Sequence, residues 1–534
     1  MKALTGTASL IRLILRRDRS RLAVWILVLA LVPIGTASAF AGLYPDQAIR
    51  EQLAATVGST PALLAILGPV YGSSIGALTA WRIGTIGAVL VGLMALLTVI
   101  RHTREEEEAG RRELLGSTVV GRHAPLAAAM TVAAATGLVL GLLLVLGFTS
   151  QGLPAQGALA YGTGVMLVAV AFAAAGALTA QLTENATTAR GLAVGLLGAA
   201  FLLRVGGDAG EAGGLGWMSW LSPVGWFSRM RPFAGERWWV VGLWLGVALV
   251  LSVAAFAISS RRDVGAGAFP PRPGPAAASP GLGTPLGLAW RLQRGSLVGW
   301  TFGLAAAGAV YGAAGDSIGD MMEGNPQLAA IFEALGGTQA LTDTFFSAAV
   351  SVLALIATAY GIRAVLRLRV EEESLRAESV LATAVTRSGW ALSHFVFGVL
   401  GPLFMLAVAA AVAGTVYGVV VGDVAGQAPR ILGSALVQMP AVWVVTAAAL
   451  TLFGLVPRLV SLSWGILVGC LLLGQLGQIL RFPQWSLNLS PFTHIPLLPA
   501  EELEALPLLV LGAVASALAA MGVAGFRRRD IIAG

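Results

Sequence analysis

The chain has 534 residues, 57% of them hydrophobic and only 11% charged, and its mean hydropathy of +0.81 lies far outside the range of a soluble domain. A formal charge of +7 does not call for a nucleic-acid partner, because basic residues beside apolar runs are first of all topology determinants. The single cysteine, Cys470, excludes an intramolecular disulfide.

About twelve apolar stretches of roughly 18 to 25 residues recur, each long enough to cross a hydrocarbon core about 30 Å thick. They predict an all-α polytopic membrane protein of about 12 transmembrane helices. Ahead of the first stretch, Leu10, Leu13 and Ile14 alternate with Arg12, Arg16 and Arg17. That spacing predicts a short amphipathic helix suited to the inner headgroup layer; a cytoplasmic continuation of the first span accounts for the same residues. The first half then offers Leu22–Ala41, Thr85–Ile100, Pro125–Phe148, Leu159–Leu182 and Trp238–Ser259, with Gly191–Arg204 weaker. The second half offers Phe345–Leu366, Ala391–Val421, Ile431–Leu455 and Leu506–Phe526, with Leu297–Gly315 and Leu459–Leu480 weaker. Ala and Gly fill many of these runs, which either lets helix backbones approach closely or reflects a GC-rich genome. With a cytoplasmic N-terminus, only Arg50, Arg82, Arg204, Arg229, Arg231, Arg237, Arg430 and Arg481 of the 34 Lys and Arg fall in or beside outside segments, as the positive-inside rule requires. Arg82 and Arg204, near span ends, are expected to snorkel to the interface.

After the second span of each half comes an acidic inside segment. Glu106, Glu107, Glu108, Arg111, Glu113, Thr118, Val120 and Arg122 return, 265 residues later, as Glu371, Glu372, Glu373, Arg376, Glu378, Thr383, Val385 and Arg387. A topogenic loop has no need of clustered Glu. Glu and Arg three and four apart support a short helix, and Leu114 with Leu115 supplies an apolar edge for docking on a partner protein. The alternative is that Glu and Arg pair within the loop and only stabilise the end of the second span. Near the end of each half, Trp217 with Leu221-Ser222-Pro223 is repeated as Trp485 with Leu489-Ser490-Pro491. Residues Trp217–Trp239 hold five of the fourteen tryptophans, which reads as interfacial anchoring or as an exit lip.

The whole chain is written twice, at an offset of about 265 to 275 residues. Arg16, Arg19, Leu22 and Trp25 correspond to Arg291, Arg294, Leu297 and Trp300. Pro61, Leu63, Ala65 and Ile66 correspond to Pro326, Leu328, Ala330 and Ile331. Arg261-Arg262-Asp263 corresponds to Arg528-Arg529-Asp530. Both halves therefore begin and end on the same side, and the repeat is parallel, with a pathway expected at the interface between halves. Residues 1–265 form the first six-helix half, 266–284 a Pro/Gly/Ala/Ser-rich cytoplasmic linker and 285–534 the second half, with both termini cytoplasmic. The mid-chain copy of the first span also argues against reading Ala37-Ser38-Ala39 as a signal-peptide cleavage site.

The segment Glu106–Arg122 resembles the cytoplasmic coupling loop of ABC exporter permeases of the type 2 class, whose pattern is an acidic cluster, Gly-Thr, Glu, two Leu and Thr-Pro-Val-Ser-Arg. Gly110, Glu113, Leu114, Leu115, Thr118, Val120 and Arg122 fall on it; Arg111 and Val119 depart from it, and Leu375, Ser379 and Val380 depart in the second copy. Over its whole length the chain is most similar to fused permeases of the tetronasin-resistance type. That resemblance implies a multidrug and antibiotic efflux permease in the bacterial cytoplasmic membrane. It would move amphipathic small molecules and be energised by two copies of a separate ATPase that carry ATP and magnesium. The resemblance further implies short re-entrant helices broken at Ser222-Pro223 and Ser490-Pro491.

Lys2 is the only lysine, so no P-loop can form and an ATP-driven mechanism requires another polypeptide. His102, His123, His394 and His494 are scattered singly, without a metal-ligand spacing, and no catalytic set is recognisable. None of the clear spans has a central Asp, Glu or Lys, which favours an externally driven permease over a parallel-repeat, proton-coupled transporter, the competing reading.

Overall fold

The computed structural model describes residues 3–58, 64, 67–116, 119–210, 214–269, 276–315, 337–476, 483–501 and 503–530. Every regular element among them is helical. The chain divides into two units, Met1–Gly274 and Pro275–Gly534. Among the described residues, eleven helices are long and apolar enough to cross a membrane, which makes this an all-α polytopic membrane protein. The first half's landmarks at 61–66 and their copies at 326–331 fall outside or partly outside the described residues.

In the first unit the chain runs through α1 (Thr7–Arg17), α2 (Arg19–Leu43), α3 (Gln47–Gly58) and α4 (Ile75–His102). It continues past Thr103 as α5 (Arg104–Glu108) and α6 (Arg111–Gly116), then α7 (Ala124–Ser150), α8 (Ala155–Leu182) and α9 (Ala186–Ala209). A 3-10 turn at Gly216–Leu221, α10 (Gly225–Arg229) and a second turn at Trp238–Val240 lead into α11 (Val241–Arg261). Helix α8 is the most enclosed, 78% of its span being buried, and α4 follows at 61%, against 17% for α11. The alanines and glycines explain why. A Cβ on Gly141 would lie 2.5 Å from the Gly162 carbonyl oxygen, and one on Gly162 2.6 Å from that of Gly141. Helices α7 and α8 therefore touch backbone to backbone, the contact that drives helix association where apolar burial cannot. Leu27 and Leu31 on α2, like Leu249 and Val250 on α11, stay exposed as the surface offered to lipid.

Leu10 and Ile14 of α1 are buried against Ala124, Ala128 and Val132 of α7. The amphipathic helix is thus docked on its own unit by part of its apolar face, leaving Leu13 and Leu15 exposed. Its junction with α2 is fixed by Asp18, whose Oδ2 lies 2.9 Å from His102 Nε2 and 3.2 Å from Arg101 Nε.

The second unit contains α12 (Pro285–Ala314), α13 (Gly337–Glu373), α14 (Arg376–Leu381), α15 (Arg387–Val421), α16 (Val424–Val437) and α17 (Met439–Leu455). After them come α18 (Leu462–Leu476), α19 (Gln484–Leu487), a 3-10 turn at Pro491–His494 and α20 (Ala505–Arg528). Helices α16 and α17 make up one span, Val424–Leu455. The same close packing recurs: Cβ atoms on Gly308 and Gly312 would sit 2.2 and 2.4 Å from carbonyls of Ala409 and Ala413 on α15. Here α12 runs unbroken from its Thr284 cap, so the second copy has the continuous span, not a separate amphipathic helix. The weak Leu459–Leu480 candidate holds α18 up to Leu476, and its remaining residues fall in 477–482, outside the described residues.

Candidate functional site

Because α5 continues the line of α4, its four carboxylates fan out around one helical turn and meet four different sets of partners. Glu105 Oε1 accepts from Arg190 Nε at 3.1 Å on α9. Glu106 binds Arg111 and Arg17, each at 2.6 Å. Glu108 Oε2 accepts the Ala186 amide at 2.9 Å and so caps α9. Glu107 points inward, its side chain 1% exposed, against Arg104 at 2.8 Å, Arg112, and Arg262, whose Nη2 lies 2.9 Å from both carboxylate oxygens.

Three guanidiniums around one carboxylate leave positive charge over, and carbonyl oxygens absorb it. Arg104 donates to Ala180, Gly265 and Ala266. Arg262, just beyond α11, donates to Gln181 Oε1 at 2.8 Å and to the Ala266 carbonyl at 2.6 Å. Arg122 then donates to the carbonyls of Arg262 and Ser259, at 2.6 and 3.1 Å. Burial, with Arg262, Arg104 and Arg122 close by, pushes Arg112 down to about 10, and burial also lowers Arg262.

The second unit builds the same clasp. Glu372, with its side chain fully buried, accepts from Arg529 at 2.6 and 2.8 Å, and Arg369 lies 3.6 Å away. Arg529 lies over the rings of Phe453 and Phe526, and Arg387 donates to its carbonyl at 2.8 Å. Glu371 pairs with Arg367 at 2.7 Å and Arg376 at 3.0 Å. Of the expected docking residues, Glu107, Glu371 and Glu372 are therefore covered by their own unit, and Arg122 and Arg387 hold its last helix. Gly110, Arg111 and Glu113, and in the second copy Arg376, Glu378 and Thr383, are exposed. The side chains of Leu114 and Leu115, and Thr118 altogether, lie outside the described residues.

At the opposite, tryptophan-rich end, the segment after α9 folds back as a wedge. Phe227 of α10 sits where Cβ atoms on Gly84 and Gly164 would fall 2.5 and 3.0 Å from its ring; Phe233 fills matching notches at Gly76 and Gly157, at 2.5 and 2.1 Å. Phe233 and Arg231 both hold left-handed backbones, φ +63° and +55°, a conformation rare for side-chain-bearing residues. Ser222 ties the break in place: its hydroxyl donates to the Ala200 carbonyl at 2.5 Å and accepts the Gly225 amide at 3.1 Å. The Pro223 carbonyl accepts Trp244 Nε1 at 3.0 Å. Trp217 is exposed, as is Trp485, while Ser490 and Pro491 are buried.

Arg204 does not snorkel. Its side chain is fully buried, 2.7 Å from Asp208 Oδ2, and Asp208 Oδ1 takes bonds from Ser219 at 2.6 Å and Arg229 at 3.2 Å. The network fastens α9 to the wedge, and an Arg and an Asp four residues apart in one span was the available signal.

Residues 282–527 match the family described as multidrug efflux system permease Rv1217c, C-terminal domain. The multidrug efflux system permease protein Rv1217c of Mycobacterium tuberculosis (strain ATCC 25618 / H37Rv) is 43% identical to this chain over 529 residues, which span 99% of this chain and 95% of that protein.

Proposed function

This chain belongs to the multidrug efflux permease Rv1217c family, and from that premise we propose that it is the membrane-spanning permease of an ATP-driven exporter of the type 2 ABC class. It moves amphipathic compounds, antibiotics among them, out of a bacterial cell. In this reading it sits in the cytoplasmic membrane with its arginine-rich end and both termini inside. Two copies of a separate ATPase, which hold ATP and magnesium, bind at α6 and α14 through Arg111, Glu113, Arg376, Glu378 and Thr383.

The observation that carries the reading is how each loop divides its carboxylates. One set is buried in a clasp, while Glu113 and Glu378, 265 residues apart, stay exposed on short helices, outside the ion pairs of the clasps. Co-purification with the candidate ATPase tests it. The permease should stimulate ATP hydrolysis, and Glu113→Lys with Glu378→Lys should return hydrolysis to the unstimulated level. An unchanged complex with unchanged hydrolysis would sink the coupling role.

A proton-coupled mechanism draws on the buried Asp18–His102 pair and on Asp208. Efflux that collapses with a protonophore while ATP is held constant would decide in its favour.

A further inference from the structure

We infer that the last helix of each unit carries a displacement of its loop to the opposite end of that unit, with Arg262 and Arg529 as the positioning residues that lock loop to helix. The inference rests on the ATP-driven reading above, since it takes the loops to be where the motor pushes.

A push on the first loop reaches α4 directly and α11 through Glu107. Both oxygens of Glu107 are held by Arg262, and Arg122, at the far end of the loop, holds the carbonyl of that same arginine. Shifting the loop without α11 would pull Glu107 away from Arg262 and leave that guanidinium uncompensated in a site closed to water. Shifting the two together keeps that buried pair closed and leaves only contacts to α8 and α9, such as Arg262 to Gln181 and Glu105 to Arg190, to adjust. The loop also touches α8 through Arg104 and α9 through Glu105 and Glu108, but α4, α8 and α9 are 61%, 78% and 28% buried along their spans, whereas α11 lies on the rim with 17% buried. The rim helix has fewer neighbours to drag and is the freer one to slide.

Helix α11 contains no proline and is about 30 Å long at 1.5 Å per residue, so its ends move as one. Its other end is hooked to the wedge: Trp244 donates to the Pro223 carbonyl at 3.0 Å, and its ring meets Trp226 edge-on at 5.9 Å. The second unit reproduces the connection with different contacts. Arg529 holds Glu372 at one end of α20, and at the other Leu508 and Leu511 pack on Phe492 and Ile495 of the Pro491 turn. Helix α20 is again the rim helix, 17% buried against 67% for α13. Two copies that differ in far-end chemistry but share the same linkage argue that the linkage is what is kept.

A cysteine reporter at Leu215, an exposed residue just before the wedge, tests this in the complex of the full chain with its ATPase; Cys470 is buried and stays silent to maleimide. With Leu215→Cys alone, ATP should change the maleimide labelling rate several-fold. Adding Arg262→Ala should abolish that change while ATP hydrolysis continues, and Arg262→Lys should recover part of it. Trp244→Phe removes the hook at the other end, leaves the buried charges untouched and should give the same loss, so the test stands even if Arg262→Ala does not fold. A full ATP response in Trp244→Phe, or in a folded Arg262→Ala, overturns the inference and leaves the ATP-driven reading standing. A Leu215→Cys protein that forms no ATP-hydrolysing complex overturns that reading, and this inference with it.

Discussion

Replacing Glu107 by Gln keeps the shape of the clasp and removes its only negative charge. Arg104, Arg112 and Arg262 would then face one another around a neutral amide, with a side-chain site 1% open to water to screen them. Removing one partner of a buried ion pair costs about 3–5 kcal/mol. For a unit of this size about 2–4 °C of melting temperature accompanies each kcal/mol, so the apparent melting point should fall by about 6–20 °C. Thermal unfolding of the detergent-purified chain, followed by intrinsic tryptophan fluorescence, gives the measurement. Glu113→Gln is the control: exposed and outside the clasp, it should shift the melt by less than about 2 °C, the range of ordinary surface changes. Coupling sharpens the test, because Glu107→Gln combined with Arg262→Gln should cost less than the two separate losses added together. A Glu107→Gln melt within about 2 °C of the parent protein would refute the charge-clasp reasoning outright.

Gly157→Ala should cost about 1–3 kcal/mol, because the new methyl would lie 2.1 Å from the Phe233 ring; trimming the ring with Phe233→Leu in the same chain should restore part of the melting temperature. Asp208→Asn should destabilise by several times the roughly 1 kcal/mol expected for Ser219→Ala, since it strips the carboxylate from two arginines and not one hydrogen bond; equal melts for the two variants would contradict the network. His123, depressed by burial and by Arg122 and Arg112, resists protonation in the folded state. Its unfolded form takes up protons below about pH 6.5, so its contribution to stability is present above that pH and lost as pH falls through it; melts recorded from pH 7.5 to 5 should show a smaller acid loss in His123→Gln.

Most of the spans could be read from the sequence because a run of some twenty apolar residues has few alternatives in a bilayer. The exceptions are instructive. Helix α9 extends beyond the Gly191–Arg204 candidate because Arg204 and Asp208 neutralise each other across one turn, which a hydropathy window counts as two penalties. The weak Leu459–Leu480 candidate holds α18 up to Leu476, with 477–482 outside the described residues. The loops were visible as repeated carboxylates, and the Arg261-Arg262-Asp263 tag as a repeated end, yet nothing along one chain says that Glu107 and Arg262, 155 residues apart, meet. Their joint recurrence as Glu372 and Arg529 was the only available hint. The wedge was legible as a tryptophan-rich segment, but its seating depends on Gly76, Gly84, Gly157 and Gly164 lining up across two helices, a register that only folding sets.

The two clasps are alike in plan and unequal in grip. Glu107 answers to three guanidiniums, while the position matching Arg112 is Ala377, so among the described residues Glu372 has Arg529 and, farther off, Arg369. Equal tugs on the two loops would meet unequal resistance, and the second unit has less to tear loose. A gene that doubled its length did not thereby make a symmetrical machine: its twin handles are set to different strengths, and the weaker one is expected to yield first.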